Sequence, residues 1–138
     1  MKKVPLIVVV DTNFIAVPAQ FGVDIFSEAE RVLERRLEFV MLSSVLDELE
    51  RNIHTAANRT EVRHFRIAKE LAKRCRVVEV SEEAMKLPVD DQLLAYTQSV
   101  KGVLATNDKE LKVRARSKGV PVLILRGMKY LALDGYVN

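Results

Sequence analysis

With 138 residues, the chain has the length of one domain that can bury a substantial core. An apolar fraction of 49% beside 30% charged residues excludes a disordered chain, and no apolar run approaches the roughly 18 residues of a membrane span. A single cysteine, Cys75, excludes an intramolecular disulfide and suits a reducing cytoplasm, and with only His54 and His64 beside it there is no zinc cluster at ligand spacing.

The N-terminal Met1-Lys2-Lys3-Val4-Pro5 superficially resembles a leader. The apolar run after it meets Asp11 quickly and no small-residue cleavage site follows, which predicts a first buried strand near Ile7–Val10. A segment broken by Pro18 and Gly22 comes next. Asp24 or Ser27 then caps a helix whose stripe contains Ile25, Ala29, Val32, Leu33 and Leu37. Phe39–Leu42 is the second strand. Ser43 or Ser44 caps the following helix, with Asp47 as a capping-box-like partner and Val45, Leu46, Leu49 and Ile53 at helical spacing. A long helix from about Glu61 buries Val62, Phe65, Ala68, Ala72 and Cys75. Val77–Val80 is the third strand, and Ser81 caps a short turn through Met85. Gln92–Val100 is helical until Gly102 stops it. Val103–Ala105 is the fourth strand, Lys109–Ser117 a helix ended by Gly119, and Val122–Leu125 the fifth strand. This alternation predicts one domain over residues 1–138, an α/β/α sandwich around a parallel sheet of about five strands with right-handed crossovers.

Carboxylates punctuate this pattern. Asp11 closes the first strand, Asp108 follows the fourth, Glu48 lies in Val45-Leu46-Asp47-Glu48-Leu49, and Asp90-Asp91 opens a helix after Pro88. Ligands of open parallel sheets collect outside the carboxyl ends of the strands. Acids converging there repel one another unless a divalent cation neutralises them, so the chain proposes a metal site. Each acid also has a plainer explanation: Asp11 as a turn former before Thr12-Asn13, Asp108 as the N-cap of its helix, Asp90 or Asp91 as another cap, Glu48 as a surface residue. Capping does not account for acids after the first and fourth strands together with Glu48.

Charge is unevenly spread. From Arg51 to Arg76 eight basic residues stand against two acids, a net of +6, and from Lys109 to Lys118 five stand against one, a net of +4, leaving −7 elsewhere in a chain of net +3. Arg59, Arg63, Arg66 and Lys73 recur at helical spacing opposite Phe65 and Ala72. A basic flank around an acidic centre suits a polyanion held at a metal-dependent site, and a solvated helix face explains the same residues.

The array Val9-Val10-Asp11-Thr12-Asn13, Val45-Leu46-Asp47-Glu48-Leu49, Val89-Asp90-Asp91-Gln92-Leu93-Leu94 and Ala105-Thr106-Asn107-Asp108 resembles a PIN domain across most of the chain. Pro18–Phe26 and Ala105–Lys112 resemble the branch related to eukaryotic small-subunit ribosomal RNA processing factors more than the short toxins of toxin–antitoxin pairs. The resemblance implies a sheet of order 3-2-1-4-5 and a metal-dependent ribonuclease. It places Asp11, Glu48 and Asp108 in the first, second and last acidic positions, with Thr106 and Asn13 in support. The third position falls on Asp91, which precedes Leu94-Ala95 in the family manner, or on Asp90, and Asp91 is favoured. It also leaves room for a homodimer and for a protein partner such as an antitoxin.

Oxygen ligands at this density suit Mg²⁺ or Mn²⁺. The corresponding chemistry is in-line hydrolysis of an RNA phosphodiester, leaving 5′-phosphate and 3′-hydroxyl ends without a histidine base. Basic side chains would hold the RNA backbone without reading bases, and with no Trp a stacking platform is not evident. A non-catalytic RNA-binding module of the same fold would be marked by a missing acid, and none is missing. A receiver-type signalling domain would need a lysine after the last strand, where Leu125-Arg126-Gly127 stands, and no Gly-rich phosphate loop follows the first strand.

Overall fold

Strand β1 (Leu6–Val10) runs through the centre of the sheet, with Leu6, Val8, Val9 and Val10 all buried. A strand covered on both faces has no polar side to alternate, which is why this segment is a continuous aliphatic run. The computed structural model describes residues 4–137, so Lys2 and Lys3 of the N-terminal motif lie outside the described residues. Two short helices follow, α1 (Thr12–Ile15) and α2 (Val17–Phe21), then α3 (Ile25–Leu33), β2 (Leu37–Leu42), α4 (Ser43–Thr55) and α5 (Arg59–Ala72). The chain continues through β3 (Arg76–Val78), α6 (Glu82–Met85), α7 (Val89–Ser99), β4 (Val103–Ala105), α8 (Lys109–Ser117), β5 (Val122–Arg126) and β6 (Tyr130–Asp134). Among the described residues, no helix is long and apolar enough to cross a membrane.

The strands are ordered β3-β2-β1-β4-β5-β6. The first five are parallel in the expected order, and helices flank the sheet. The chain steps outward from β1 to β2 and β3, then returns to the other side of β1 to lay down β4 and β5. The gap above β1 and β4 is therefore the topological switch point of the sheet. Phe14, Ile25, Met41, Leu49, Leu93, Leu104, Leu111 and Leu123 are fully buried around it. The base of α3 is pinned by Phe26, whose ring meets Phe39 edge-on at 4.8 Å and carries the Arg74 guanidinium at 4.0 Å from its centroid.

A sixth strand extends the expected five. β6 pairs antiparallel with β5 through a turn in which Lys129 N–H donates to Arg126 O at 3.1 Å and both Gly127 and Met128 have φ of 56°. Such a turn matches the twist of the flanking strands, and only one of its two left-handed positions carries the glycine that would announce it. β6 also covers what would otherwise be the β5 edge of the sheet.

Several local expectations are corrected. Leu37 belongs to β2 and not to the stripe of α3, because Glu34 turns left-handed at φ 49° and ends that helix, its N–H bonding Glu30 O. Neither Ser43 nor Ser44 caps α4: Leu42 stands at the N-cap, and the Ser43 hydroxyl instead accepts from Val80 N–H at 3.0 Å, tying the start of α4 to the segment after β3. α5 starts at Arg59, before Glu61, because Asn58 Oδ1 accepts from Glu61 N–H at 2.9 Å while Glu61 Oε2 accepts from Ala57 N–H at 3.0 Å. Cys75 lies beyond that helix but is buried, and burial pushes its thiol up to about 11, as befits an inert core residue.

Candidate active site

Register decides which residues meet at the switch point. Val9 lies opposite Leu104 and Val10 opposite Ala105, and Asp11 N–H donates to Ala105 O at 3.0 Å. Asp11 and Thr106 therefore leave the carboxyl ends of adjacent parallel strands side by side. Asp108 N–H donates to Thr106 Oγ1 at 3.1 Å, and that hydroxyl donates its one proton to Asp11 Oδ2 at 2.8 Å. Thr106 is thus the link between the two aspartates. Asp11 Oδ1 accepts from Thr12 N–H at 2.7 Å, which also caps α1. Asn13 extends the network: its Nδ2 donates to Asp11 Oδ2 at 3.4 Å and its Oδ1 accepts from Asn107 N–H at 3.1 Å. The Asn107 side chain in turn accepts from Leu125 N–H at 3.2 Å, locking the β4–α8 loop to β5.

Asp11 is buried, and that burial pushes its carboxyl up from 3.8 to about 6 despite the hydrogen bonds from Thr106 and Thr12. The charges of Glu48 and Asp90 push in the same direction. Asp90 is likewise raised, first by burial and then by the charge of Asp108, with Arg114 opposing. Asp11, Glu48, Asp90 and Asp108 therefore form one electrostatic cluster in which like charges act on each other. Glu48 reaches it because Val45 and Leu49 bury their face of α4, setting the carboxylate at the margin of that stripe. Asp47 remains exposed, and Glu50 turns away to Lys69 at 2.7 Å.

The two neighbours on α7 part company. The helix begins at Val89 with Pro88 at its N-cap and no side-chain cap, so neither aspartate is used as a cap. Both lie in the first turn, where the helix dipole favours negative charge. Asp91, the favoured member of the pair, forms an ion pair with Arg114 of α8, while Asp90 feels Asp108 and acts on Asp11. Arg114 was not singled out by sequence reasoning; it lies 23 residues from Asp91, and no local pattern links the two. Asp108 caps α8 through Oδ1, which accepts from Leu111 N–H at 3.0 Å, so capping and membership of the cluster coexist in one residue.

Among the described residues, no three acidic, cysteine or histidine side chains close to the spacing of a metal cage. The donor set nonetheless fits a hard divalent ion. It consists of carboxylate oxygens, it carries repulsion that a cation would relieve, and Mg²⁺ keeps much of its water and needs only one or two protein carboxylates. Thr12 Oγ1, next to Asp11, is also buried without a hydrogen-bond partner among the described residues, a polar atom that an ordered water of such a shell would satisfy.

On α5, Arg59, Arg63 and Arg66 are exposed and border a shallow groove with Val62, Ile67 and Glu70. Among the described residues no ion pair engages these three arginines, whereas Lys73 is paired with Glu70 at 3.1 Å. The second basic segment is partly neutralised, since Lys112 and Arg116 reach Asp134 of β6 at 3.4 and 3.3 Å.

A doubly wound sheet with aspartates leaving two adjacent strands at the switch point, and further acids on the helices beside them, defines a class. The chain belongs to the PIN-like domain family, which matches residues 8–128. Ribonuclease VapC4 of Methanocaldococcus jannaschii is 30% identical over 132 residues, spanning 94% of this chain and 98% of that protein. The solved structure of the PIN domain endonuclease Utp24 is 27% identical, with a TM-score of 0.78 over 97% of this chain and 95% of that one. PAE2754 from Pyrobaculum aerophilum, 16% identical with a TM-score of 0.58 over 82% and 89% of the two chains, shares the fold.

Proposed function

We propose that the chain is a metal-dependent endoribonuclease whose acidic site comprises Asp11, Glu48, Asp90 and Asp108. The observation that carries this reading is the buried Asp11 at the junction of β1 and β4, joined through Thr106 to Asp108 and facing the charges of Glu48 and Asp90. The identity of the acids, their order in the chain and the likeness to a ribonuclease and an endonuclease support it. A bound Mg²⁺ or Mn²⁺ would neutralise the cluster and supply Lewis-acid activation at the scissile phosphate.

The chain's own residues do the positioning. Thr106 holds Asp11 by its hydroxyl and Asp108 by that residue's amide, so the two carboxylates keep a fixed separation. Asn13 and Asn107 brace the strand ends against each other and against β5. The ion pair of Arg114 with Asp91 supports Asp90 in the ligand role. Arg59, Arg63 and Arg66, without an ion pair among the described residues, offer positive charge to an RNA backbone. A role in ribosomal RNA processing is the reading favoured by the Pro18–Phe26 segment and by the extent of the likeness to Utp24.

The test is cleavage of structured and single-stranded RNA with Mg²⁺ or Mn²⁺, compared with Asp11→Asn. The variant is expected to stay folded and lose cleavage. Undiminished cleavage by a folded Asp11→Asn protein sinks the assignment.

A further inference from the structure

A cleft of about 370 Å³ opens beside the acidic site. Asp108, Asn107 and Lys109 form its polar side, and Phe21, Leu125 and Met128 its apolar side. Thr106 and Asp108 line the cleft and also belong to the Asp11 network, so the cleft and the acidic site share a wall.

The apolar side is uncovered: Phe21 at the end of α2 is 42% exposed and Met128 at the β5–β6 turn is 62% exposed. Met128 holds its left-handed backbone at a position where glycine is the natural choice, which keeps a long thioether at the rim of the cleft. On the polar side, Asn107 Oδ1 is committed to Leu125 N–H, which fixes the orientation of the amide. Its Nδ2 keeps its donors without a partner among the described residues, and Lys109 has no ion-pair partner among them either.

An aromatic ring, a thioether, a fixed amide donor and a lysine beside the acidic site match the parts of a nucleotide. A base in the cleft would lie against Phe21 and Met128. Its acceptor edge would meet Asn107, and the adjoining phosphate would meet Lys109. The volume lies in the range of small-ligand pockets, roughly 300–1,000 Å³, and a protein partner would need a far wider contact. A base stacked in a duplex cannot offer its face to a side chain, whereas an unpaired one can.

We propose that Phe21, Met128, Asn107 and Lys109 make this cleft a subsite for one unpaired nucleobase of the RNA strand, next to the phosphate cleaved at the acidic site. The identity of the strand rests on the ribonuclease reading above.

The test is fluorescence anisotropy with a short single-stranded RNA and its duplex in EDTA, where metal-dependent cleavage does not interfere. Phe21→Ala and Met128→Gly are each expected to weaken single-strand binding about five- to tenfold, the lower part of what one stacked base contributes, and to leave duplex binding unchanged. Phe21→Tyr keeps the ring and the affinity. Met128→Gly suits the left-handed backbone, so a loss there is not a folding defect. An abasic residue moved along the strand should lose affinity at one position in the wild type and nothing further there in Phe21→Ala. Unchanged single-strand affinity in both variants overturns the proposal, as does an equal loss on duplex, or a defect confined to binding of a co-purifying protein. Cleavage is scored separately with Mg²⁺. A wild-type protein that cuts no RNA but loses binding in Phe21→Ala retains the base cleft and refutes the nuclease.

Discussion

Asp11 carries an electrostatic cost that the fold alone does not relieve. In the folded chain its carboxyl ionises near 6, against an ordinary value of 3.8. Between about pH 4 and pH 6 the unfolded chain has released this proton while the folded chain retains it, so stability falls as pH rises through that window. For the metal-free protein the fall attributable to Asp11 is on the order of 3 kcal/mol. The measurement is thermal unfolding in chelator across this pH range, read as the difference between wild type and Asp11→Asn, which should lack this component. Added Mg²⁺ or Mn²⁺ should stabilise the wild type and not the variant. The neighbours on α7 make a second comparison. If the proposed site is right, Asp90→Asn is expected to reduce cleavage about a hundredfold or more, as loss of one carboxylate of a charge-stabilising ion would. Asp91→Asn should keep most activity and lose about 0–1 kcal/mol of stability, because its pair with Arg114 is partly exposed. Equal losses of activity in the two variants would return Asp91 to the site. Capping and ligation looked like competing roles for Asp11 and Asp108 in the sequence, and each residue fills the capping role with one oxygen.

Helix starts determine which acids are free. The sequence showed an acidic pair after Pro88 and left both residues open as caps. Beginning α7 at Val89 places them inside the first turn, where neither has a capping bond to make. α4 is a similar case: with no side-chain cap, Ser43 is released to bond Val80, and Glu48 points about 100° around the helix from exposed Asp47, on the side that Val45 and Leu49 bury. The basic helix α5 was legible through its spacing, but only pairing in space shows that Lys73 is taken by Glu70 while Arg59, Arg63 and Arg66 have no ion pair among the described residues. Arg63→Ala combined with Arg66→Ala is expected to weaken RNA binding and lower the slope of log affinity against log salt by roughly 1–2. A salt series in which the slope does not change assigns that face to solvent.

At the scale of the molecule, the site exists because β1 and β4 are neighbours. Gly102, at the entry to β4, lies so close to β1 that an added Cβ would stand 2.6 Å from Ile7 O. Gly102→Ala is expected to cost roughly 1–3 kcal/mol and to lower the melting temperature, because strand backbone cannot yield as a side-chain tip can. The sequence by itself determined the alternation of strands and helices, the aliphatic core runs, and the acids at strand ends, because these follow from periodicity and local chain chemistry. The order of the five parallel strands followed from the family resemblance and not from the pattern. Only the tertiary structure decided that Thr106 joins Asp11 to Asp108, that Arg114 claims Asp91 and leaves Asp90 facing the cluster, and that a sixth strand closes the sheet edge. The Thr106–Asp11 and Arg114–Asp91 contacts join partners 95 and 23 residues apart, and such pairings leave no period in the chain for a sequence pattern to reveal.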